Sequence, residues 1–406
     1  MWAVMPVLKR MVRERVPMLF RILVPVLLLA SFPVGAGEAG PTRVQVIAPA
    51  MPRMDEFVPL TLVARTGAGE IDRDYTGDVW LWTDGPWIRP FHVRFAGADQ
   101  GVIRLPVKLE RAVLQRIEAY DLGGVAHTWS NPVRPVERDY DGPRLLWGAL
   151  DGSKELGLDF ILGGEEEREV TELERLKEPR NAYRPTRLPA LTRKFKHETW
   201  QLLLNPALPP DDRKKLALSI GAAEGNSQLL PLITERAGDV LLVRAGVTPE
   251  ESIETPPYIL MIDAAAEETE VTKLISLRVL AVVAGPAGLI GVWSQGDDAA
   301  SIWRALKSGA AYAAWGSRIM VDVTASPGGG LRGTIAGQGP REVLSVLRLE
   351  GKKSREAWRQ ESDSDRIELD FRDPKAGPTG CFFLQVREPG SPHDGRAWAI
   401  LGGMRD

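Results

Sequence analysis

The sequence has a single cysteine, Cys381, among its 406 residues. One cysteine excludes an intramolecular disulfide, so packing alone must hold the fold together. Because Cys381 opens an apolar run, we expect it to be a small buried residue at the start of a strand.

Histidine is also scarce, and the four copies are His92, His127, His197 and His393. Transition-metal sites are built largely from imidazole and thiolate ligands, and none of these histidines has a second ligand at helical or strand spacing. The sequence therefore indicates no metal and no cofactor. Each histidine is expected in a loop or on the surface.

A concentrated basic patch is missing as well. The net charge is −3, and acidic and basic residues alternate along the chain. Nucleic-acid binding requires clustered lysine and arginine, so we expect no nucleic-acid partner.

Long apolar runs are missing from all but the N-terminus. Residues 1–36 hold a basic stretch, the apolar run from Ile22 to Val34, and the small residues Gly35 and Ala36. This order is typical of a signal peptide, and the run is shorter than the roughly 20 residues of a membrane helix. It predicts a periplasmic or secreted protein with no stable membrane span, and an uncleaved N-terminal anchor is the alternative.

Residues 41–138 alternate between apolar and polar positions and are punctuated by turn signals. Val79 and Leu81 alternate with Trp80 and Trp82 in one of these runs. This spacing predicts an immunoglobulin-like β-sandwich with one face of each sheet buried.

If Val79 and Leu81 face the core, the neighbouring tryptophans lie outside. Trp80 and Trp82, with Trp87 nearby, would then form an aromatic platform for a glycan or a protein partner. The alternative is that these tryptophans pack against a neighbouring domain.

Residues 144–322 contain near-continuous apolar runs between helical patterns, for example Tyr258–Ile262 and Val279–Val283. Such runs are typical of parallel strands covered by helices. Residues 323–406 return to strands and turns, which predicts a second, smaller β domain.

Two segments of the middle region carry helix signals. Asp298 can cap a helix that ends at Gly309, and its apolar residues fall on one face. Glu165 to Lys177 is charged throughout, which indicates a solvated helix.

The segment Arg144 to Ser153 resembles the opening strand of the PHP (polymerase and histidinol phosphatase) superfamily, whose pattern is W-G-D-L-H-x-H-S. Trp147, Gly148 and Leu150 match, whereas Ala149 stands at the position of the acid, Asp151 at that of the first histidine and Ser153 at that of the second.

Further matches to a bacterial family of secreted PHP-like proteins occur at Gly288–Trp293, Ile302–Leu306 and Tyr312–Ile319, and near Trp398. The resemblance implies an α+β multidomain protein: an Ig-like β-sandwich, a degenerate PHP-like α/β domain with a distorted barrel, and a small C-terminal β domain. It also implies a degenerate family member whose metal-ligand motifs are missing.

Acidic residues are the remaining candidates for chemistry, although no complete catalytic set is indicated. Asp151, Asp159, Glu165 and Glu166 could meet at strand ends, where paired carboxylates act as acid and base or bind a hard cation. Glu224 is the candidate for a family glutamate. The alternative is that Glu165 and Glu166 are solvated charges at the start of a helix.

Three functions follow from these observations. The first is an exported, non-catalytic relative of the metallophosphoesterases that acts as a binding or scaffold protein of the cell envelope. The second is a divergent hydrolase that uses acidic residues and a hard cation. The third is a module that binds a glycan or an envelope protein through its β-sandwich domains.

Overall fold

The structure is a computed structural model and describes most of the chain from residue 42 onward. The described ranges are 42–83, 91–121, 127–150, 156–163, 185–195, 198–245, 257–262, 279–285, 288–326, 330–338, 342–350, 353–373, 381–388 and 395–402. The predicted signal peptide lies outside them. No helix within these ranges is long and apolar enough to cross a bilayer.

The strands and helices are numbered in chain order. Strands β1 to β7 are Arg43–Ile47, Phe57–Arg65, Asp78–Thr83, Phe91–Arg94, Val102–Lys108, Ile117–Asp121 and His127–Trp129. Strands β8 to β12 are Arg144–Leu150, Phe160–Leu162, Thr186–Leu188, Ala190–Phe195 and Glu198–Leu204. Helices α1 (Pro210–Ala222) and α2 (Asn226–Glu235) follow.

The remaining elements alternate less regularly. Strands β13 to β16 are Val240–Ala245, Tyr258–Ile262, Val279–Ala284 and Leu289–Ser294, and helix α3 is Ala299–Lys307. Strands β17 to β20 are Ala311–Trp315, Met320–Ser326, Gly330–Ala336 and Glu342–Glu350. Strands β21 to β24 are Lys353–Ser362, Arg366–Arg372, Cys381–Glu388 and Gly395–Gly402.

The first seven strands form two sheets, ordered β1-β2-β5 and β4-β3-β6-β7. Alternate residues of both sheets, among them Leu60, Leu62, Val79 and Leu81, bury their side chains in one shared core. The predicted alternation is therefore confirmed, and this region is a β-sandwich because the apolar faces of its two sheets meet in one core. The other face of β1-β2-β5 is also apolar at Ile47 and Val63, which pack against Leu156.

A nine-stranded sheet runs in the order β10-β9-β8-β16-β17-β24-β23-β20-β21. Strands β8, β9 and β10 are parallel to one another, whereas β16 lies antiparallel to β8 and every later pair in the sheet is antiparallel. The sheet is open, with β10 and β21 at its two edges among the described residues.

A five-stranded sheet, β11-β12-β13-β14-β15, contains the apolar runs predicted to be parallel strands. Strands β13, β14 and β15 are parallel, as expected, whereas β11, β12 and β13 are antiparallel. Leu216 and Ile220 of α1 and Leu229 and Ile233 of α2 pack into the core that this sheet shares with the nine-stranded sheet.

The predicted fold class is wrong. Within the described residues the protein is mostly β, with three helices and no α/β barrel. The family resemblance implied a distorted α/β barrel, but the sheet that contains β8 is open among the described residues, and β16 pairs antiparallel with β8. An α/β barrel is built from parallel strands, each followed by a helix, whereas only β8, β9 and β10 of this sheet are parallel.

The separate C-terminal β domain of that fold class is also not observed. Strands β20, β21, β23 and β24 extend the sheet that contains β8, and β18, β19 and β22 form a three-stranded sheet packed on it. The boundary predicted between residues 322 and 323 falls inside β18. Apolar surface on both sheets explains the arrangement, because each covers the other.

The helix predicted from Asp298 to Gly309 is confirmed as α3. The Asp298 carboxylate accepts the backbone N–H of Ser301 at 3.0 Å, and Gly309 has a φ of +74° beyond the last turn. Ile302 and Leu306 are fully buried on its inner face. The helix predicted for Glu165 to Lys177 lies outside the described residues.

Candidate functional site

The acidic residues proposed for chemistry are mostly beyond what the structure describes. Asp151, Glu165 and Glu166 lie outside the described ranges. Glu224 is exposed in the turn between α1 and α2, where its backbone N–H donates to the Gln228 side chain at 3.0 Å. Within the described residues, no group of three or more histidine, cysteine, aspartate or glutamate side chains is placed to hold a metal ion.

Asp159 lies at the start of β9. Phe160 pairs with Gly148, so Asp159 lies level with Trp147, at the amino end of β9. Its carboxylate accepts the Trp147 backbone N–H at 2.7 Å, and its own N–H donates to the Trp147 carbonyl at 2.6 Å. Asp159 therefore joins β9 to β8 through two hydrogen bonds, while the acidic cluster that includes Asp151, Glu165 and Glu166 stays a prediction because those three residues lie outside the described ranges.

The residues that carry the PHP resemblance form the core. Trp147 is buried against Tyr312, with ring centroids 5.9 Å apart. A side chain at Gly148 would collide with the ring of Phe160, and one at Gly291 would collide with Tyr312. These glycines are required by close packing between strands, which accounts for their pattern without any ligand.

Arg318 of the same matched segment is also structural. Its guanidinium donates to the carbonyl oxygens of Leu156 and Gly157 and lies 5.9 Å from the centroid of the Trp147 ring. It therefore fixes the segment before β9 against β8 through charge-assisted hydrogen bonds.

The outer face of the sheet β4-β3-β6-β7 is a different kind of surface. Val79 and Leu81 point inward and are fully buried, whereas Trp80 is 38% exposed and Trp82 is half-buried. This confirms the prediction that the two tryptophans lie opposite the core. Trp87 lies outside the described residues.

Neighbouring strands bring further aromatic residues beside these tryptophans. Tyr120 is directly opposite Trp80 on β6, and His127 is opposite Tyr120 on β7. Trp129 follows on β7. We call these five residues, Trp80, Trp82, Tyr120, His127 and Trp129, the aromatic face.

The aromatic face is ordered by stacking. The ring centroids of Trp82 and Tyr120 are 3.8 Å apart, with planes at 18°, and those of Tyr120 and His127 are 4.3 Å apart, at 15°. The His127 and Trp129 rings are tilted at 54° and 4.7 Å apart. Because the rings stack across neighbouring strands, the faces of Trp82, Tyr120 and His127 meet one another.

Trp80 stands beside this stack rather than inside it. Its ring lies 5.4 Å from that of His92 on β4, at an angle of 46°. It is the most exposed tryptophan among the described residues. An indole in this setting can offer both apolar area and a hydrogen-bond donor to a ligand.

Charged groups surround the aromatic rings. His92 Nε2 lies 2.8 Å from Asp78 Oδ1, and His127 Nε2 lies 3.4 Å from Glu118 Oε2. The Arg116 guanidinium lies over the Trp129 ring at 4.2 Å from its centroid. The face therefore combines π surfaces with hydrogen-bond donors and acceptors.

The sequence pattern predicted only the tryptophans of β3 as members of this site. His92 and His127 were expected in loops or at the surface; they lie at the surface, but on strands and beside carboxylates. Tyr120 was missed because β6 buries the charged residues Glu118 and Asp121, which hides the alternation from the sequence. Trp129 was missed because β7 has only three residues, too few to show a period.

Comparisons with known proteins give little beyond this. No protein-family model matches the chain, and no curated protein matches it. A two-domain protein from Bacteroides vulgatus that contains a predicted PHP-like metal-dependent phosphoesterase is similar in structure over 64% of this chain and 96% of that one, at 10% identity and a TM-score of 0.30.

Two larger proteins overlap at lower scores. Dimeric latent PorU from Porphyromonas gingivalis shares 10% identity, with 90% of this chain and 34% of that one covered and a TM-score of 0.17. The α2-macroglobulin of Escherichia coli shares 10% identity over 93% and 24% of the two chains, with a TM-score of 0.21. Overlaps at these TM-scores do not show a shared fold.

Proposed function

We propose that this chain is an exported, non-catalytic protein that binds a glycan of the cell envelope through its aromatic face. The observation that carries the proposal is the exposed Trp80 beside the stacked rings of Trp82, Tyr120 and His127. Aromatic clusters left on the outside of a sandwich mark interaction sites, because the same side chains would gain more free energy in the core.

The chemistry of the face suits a sugar. A pyranose ring offers C–H groups that pack on an indole and hydroxyl groups that need both donors and acceptors. Trp80 provides the apolar area, and the carboxylate of Asp78 and the imidazole of His92 lie next to it on the same face. Tyr120, on the opposite side of Trp80, adds a hydroxyl group.

Polar groups of this density favour a glycan over an apolar protein patch. Interface centres between proteins are depleted of charged residues, whereas the partly exposed carboxylate of Asp78 and imidazole of His92 lie beside Trp80. Glu118 and Arg116 are largely buried and support the rings from within the protein. A flat apolar patch without such groups would have favoured a protein partner.

The place of action rests on the N-terminal sequence. The basic stretch, apolar run and small residues within 1–36 are those of an export signal. The non-catalytic part of the proposal rests on Ala149 and Ser153, which stand at ligand positions of the motif that this segment resembles.

Co-sedimentation with protease-treated peptidoglycan sacculi tests the proposal. We expect saturable binding of the purified protein, and Trp80→Ala should weaken it about tenfold, the effect of losing roughly 1.4 kcal/mol. Phe57→Ala is the matched control, because Phe57 is an equally aromatic and more exposed side chain on the other sheet of the sandwich.

Two results would contradict the proposal. Equal binding by Trp80→Ala and the wild-type protein would remove the aromatic face from recognition. Binding only to sacculi that retain their proteins, and not to protease-treated ones, would identify a protein partner instead of a glycan.

A further inference from the structure

Strand β18 has an open edge. It pairs with β19 on one side, and no described strand pairs with it on the other, since the sheet order is β18-β19-β22. Unpaired backbone groups along such an edge are a template for another strand.

The direction of each backbone group on β18 follows from its neighbours. The backbone carbonyl oxygen of Val321 accepts a hydrogen bond from the Trp293 indole N–H at 2.9 Å. The backbone N–H of Val321 donates to the Tyr312 hydroxyl at 3.4 Å. The backbone N–H and C=O groups of Val321 therefore point away from β19. Because backbone groups alternate in direction along an antiparallel pair, Val323 and Ala325 direct their N–H and C=O groups to the same open edge.

This edge faces a cleft of about 1110 Å³. Residues 321–325 of β18 and residues 134–137 both line it. Trp293, Tyr312 and Ile400 contribute apolar surface between them. The cleft is as large as the bigger pockets of small-molecule sites, and its open backbone edge suits an extended chain better than a compact ligand.

The charges around the cleft are mainly acidic. Glu137, Asp139 and Asp322 line it together with a single basic residue, Arg134. Arg134 Nη1 already lies 2.6 Å from Asp322 Oδ2, so these two charges balance each other. Glu137 and Asp139 are exposed and leave a negative rim, which complements lysine or arginine side chains.

We infer that β18 is a strand-addition site for an extended segment of a partner protein. The segment pairs its backbone with Val323 and Ala325 and alternates apolar side chains, which enter the cleft, with basic side chains at the acidic rim. The site is separate from the aromatic face, so it does not depend on glycan binding.

The probe is a fluorescein-labelled peptide of about eight residues that alternates lysine and valine, the length of an ordinary strand. Fluorescence polarisation should show saturable binding to the full chain. Ala325→Pro should weaken binding about tenfold, because proline removes an N–H that points to the open edge and none that pairs with β19. Ala325→Val is the matched control and keeps the affinity, since it retains that N–H.

Two further measurements separate pairing from loss of structure. Thermal unfolding of Ala325→Pro should follow the wild-type curve. Replacing both exposed rim acids, Glu137→Lys with Asp139→Lys, should weaken the lysine peptide and strengthen a glutamate–valine peptide of the same length, by severalfold in each direction.

The inference is overturned if the lysine peptide fails to bind or if Ala325→Pro binds it as tightly as Ala325→Val. It is also overturned if a peptide with N-methyl groups on alternate residues binds in both methylation registers, because one of the two must block pairing with β18.

Discussion

The aromatic side chains of the four-stranded sheet and those of the nine-stranded sheet lie in opposite environments. Trp80 and Trp82 lie on an outer face, whereas Trp147, Trp315 and Trp398 are buried between sheets. Both groups occur in strands, so the residue type alone does not separate recognition from packing. The neighbouring residues distinguish the two groups. Because Val79 and Leu81 on either side of Trp80 face the core, Trp80 must lie on the opposite, outer face of the strand.

The same contrast explains why the family resemblance misled the fold assignment. The matched residues Trp147, Gly148, Gly291 and Tyr312 touch one another or a neighbouring ring in the core. Close packing between two strands requires a glycine opposite a ring in many sheets, whatever their overall topology. Such residues report local packing and carry no information about a barrel.

The largest expected difference between the two regions is in stability. Trp147→Ala should lower the free energy of unfolding by about 3–5 kcal/mol, because it leaves a large cavity in the core. Trp80→Ala should change it by less than about 0.5 kcal/mol, since the side chain is on the surface. Urea unfolding of both variants checks this prediction. Similar decreases in the free energy of unfolding would contradict the assignment of one tryptophan to the core and the other to the surface.

A smaller effect is expected at Gly148. Gly148→Ala should lower the free energy of unfolding by about 1–3 kcal/mol because the added methyl group overlaps the Phe160 ring. Phe160→Leu should lower the free energy of unfolding less in the Gly148→Ala variant than in the wild-type protein, because the smaller side chain makes room for the added methyl group.

Gly221 is the control for this substitution, as a side chain there meets open space within α1. Gly221→Ala should stabilise the protein by about 0.5–1 kcal/mol because alanine favours the helix. A double-mutant cycle that shows no coupling between Gly148→Ala and Phe160→Leu would contradict the packing account.

The cap of α3 provides a pH-dependent effect of about 1 kcal/mol. Hydrogen bonds from the Ser301 hydroxyl and backbone N–H lower the pKa of Asp298. A lowered pKa in the folded state stabilises the protein above the unfolded pKa of the carboxyl group, and this contribution is lost as the pH falls through the folded value. The stability difference between the wild-type protein and Asp298→Ala should therefore shrink on acidification. A difference that stays constant down to acidic pH would rule out the charged cap.

The last effect concerns reactivity rather than folding. Cys381 begins β23, as predicted, but is only partly buried against the core that contains Trp398. Burial raises the pKa of its thiol to about 11. At pH 8 it should react with a thiol reagent more than about a hundredfold slower than a cysteine placed at exposed Phe57 in a Cys381→Ala background. Equal rates would show that the Cys381 site is open to solvent.

Local structure could be predicted wherever a few neighbouring residues show a regular spacing of apolar side chains or a helix-capping residue. The alternation at Val79 to Trp82, the apolar run at Tyr258 and the helix capped by Asp298 are of this kind. Each depends on interactions within one element, so the sequence pattern is sufficient to find it.

Sheet order and the full aromatic face could not be predicted in the same way. Ile290 pairs with Gly148 and Ala313 with Trp398, and no local pattern encodes partners so distant in the chain. The stack of Trp82, Tyr120 and His127 depends on three strands meeting in one register, which is a property of the folded sheet.

The most direct test of the central claim follows the tryptophans themselves. The sequence has 12 of them, one of which, Trp2, lies in the predicted signal peptide. Labelling with 5-fluorotryptophan lets the others be followed by ¹⁹F NMR, with signals assigned by single substitutions to phenylalanine. On titration with soluble glycan fragments released from sacculi, the signals of Trp80, Trp82 and Trp129 should shift, while those of Trp147, Trp315 and Trp398 should stay in place. Shifts confined to the buried group, or none at saturating glycan, would contradict the assignment of recognition to the aromatic face.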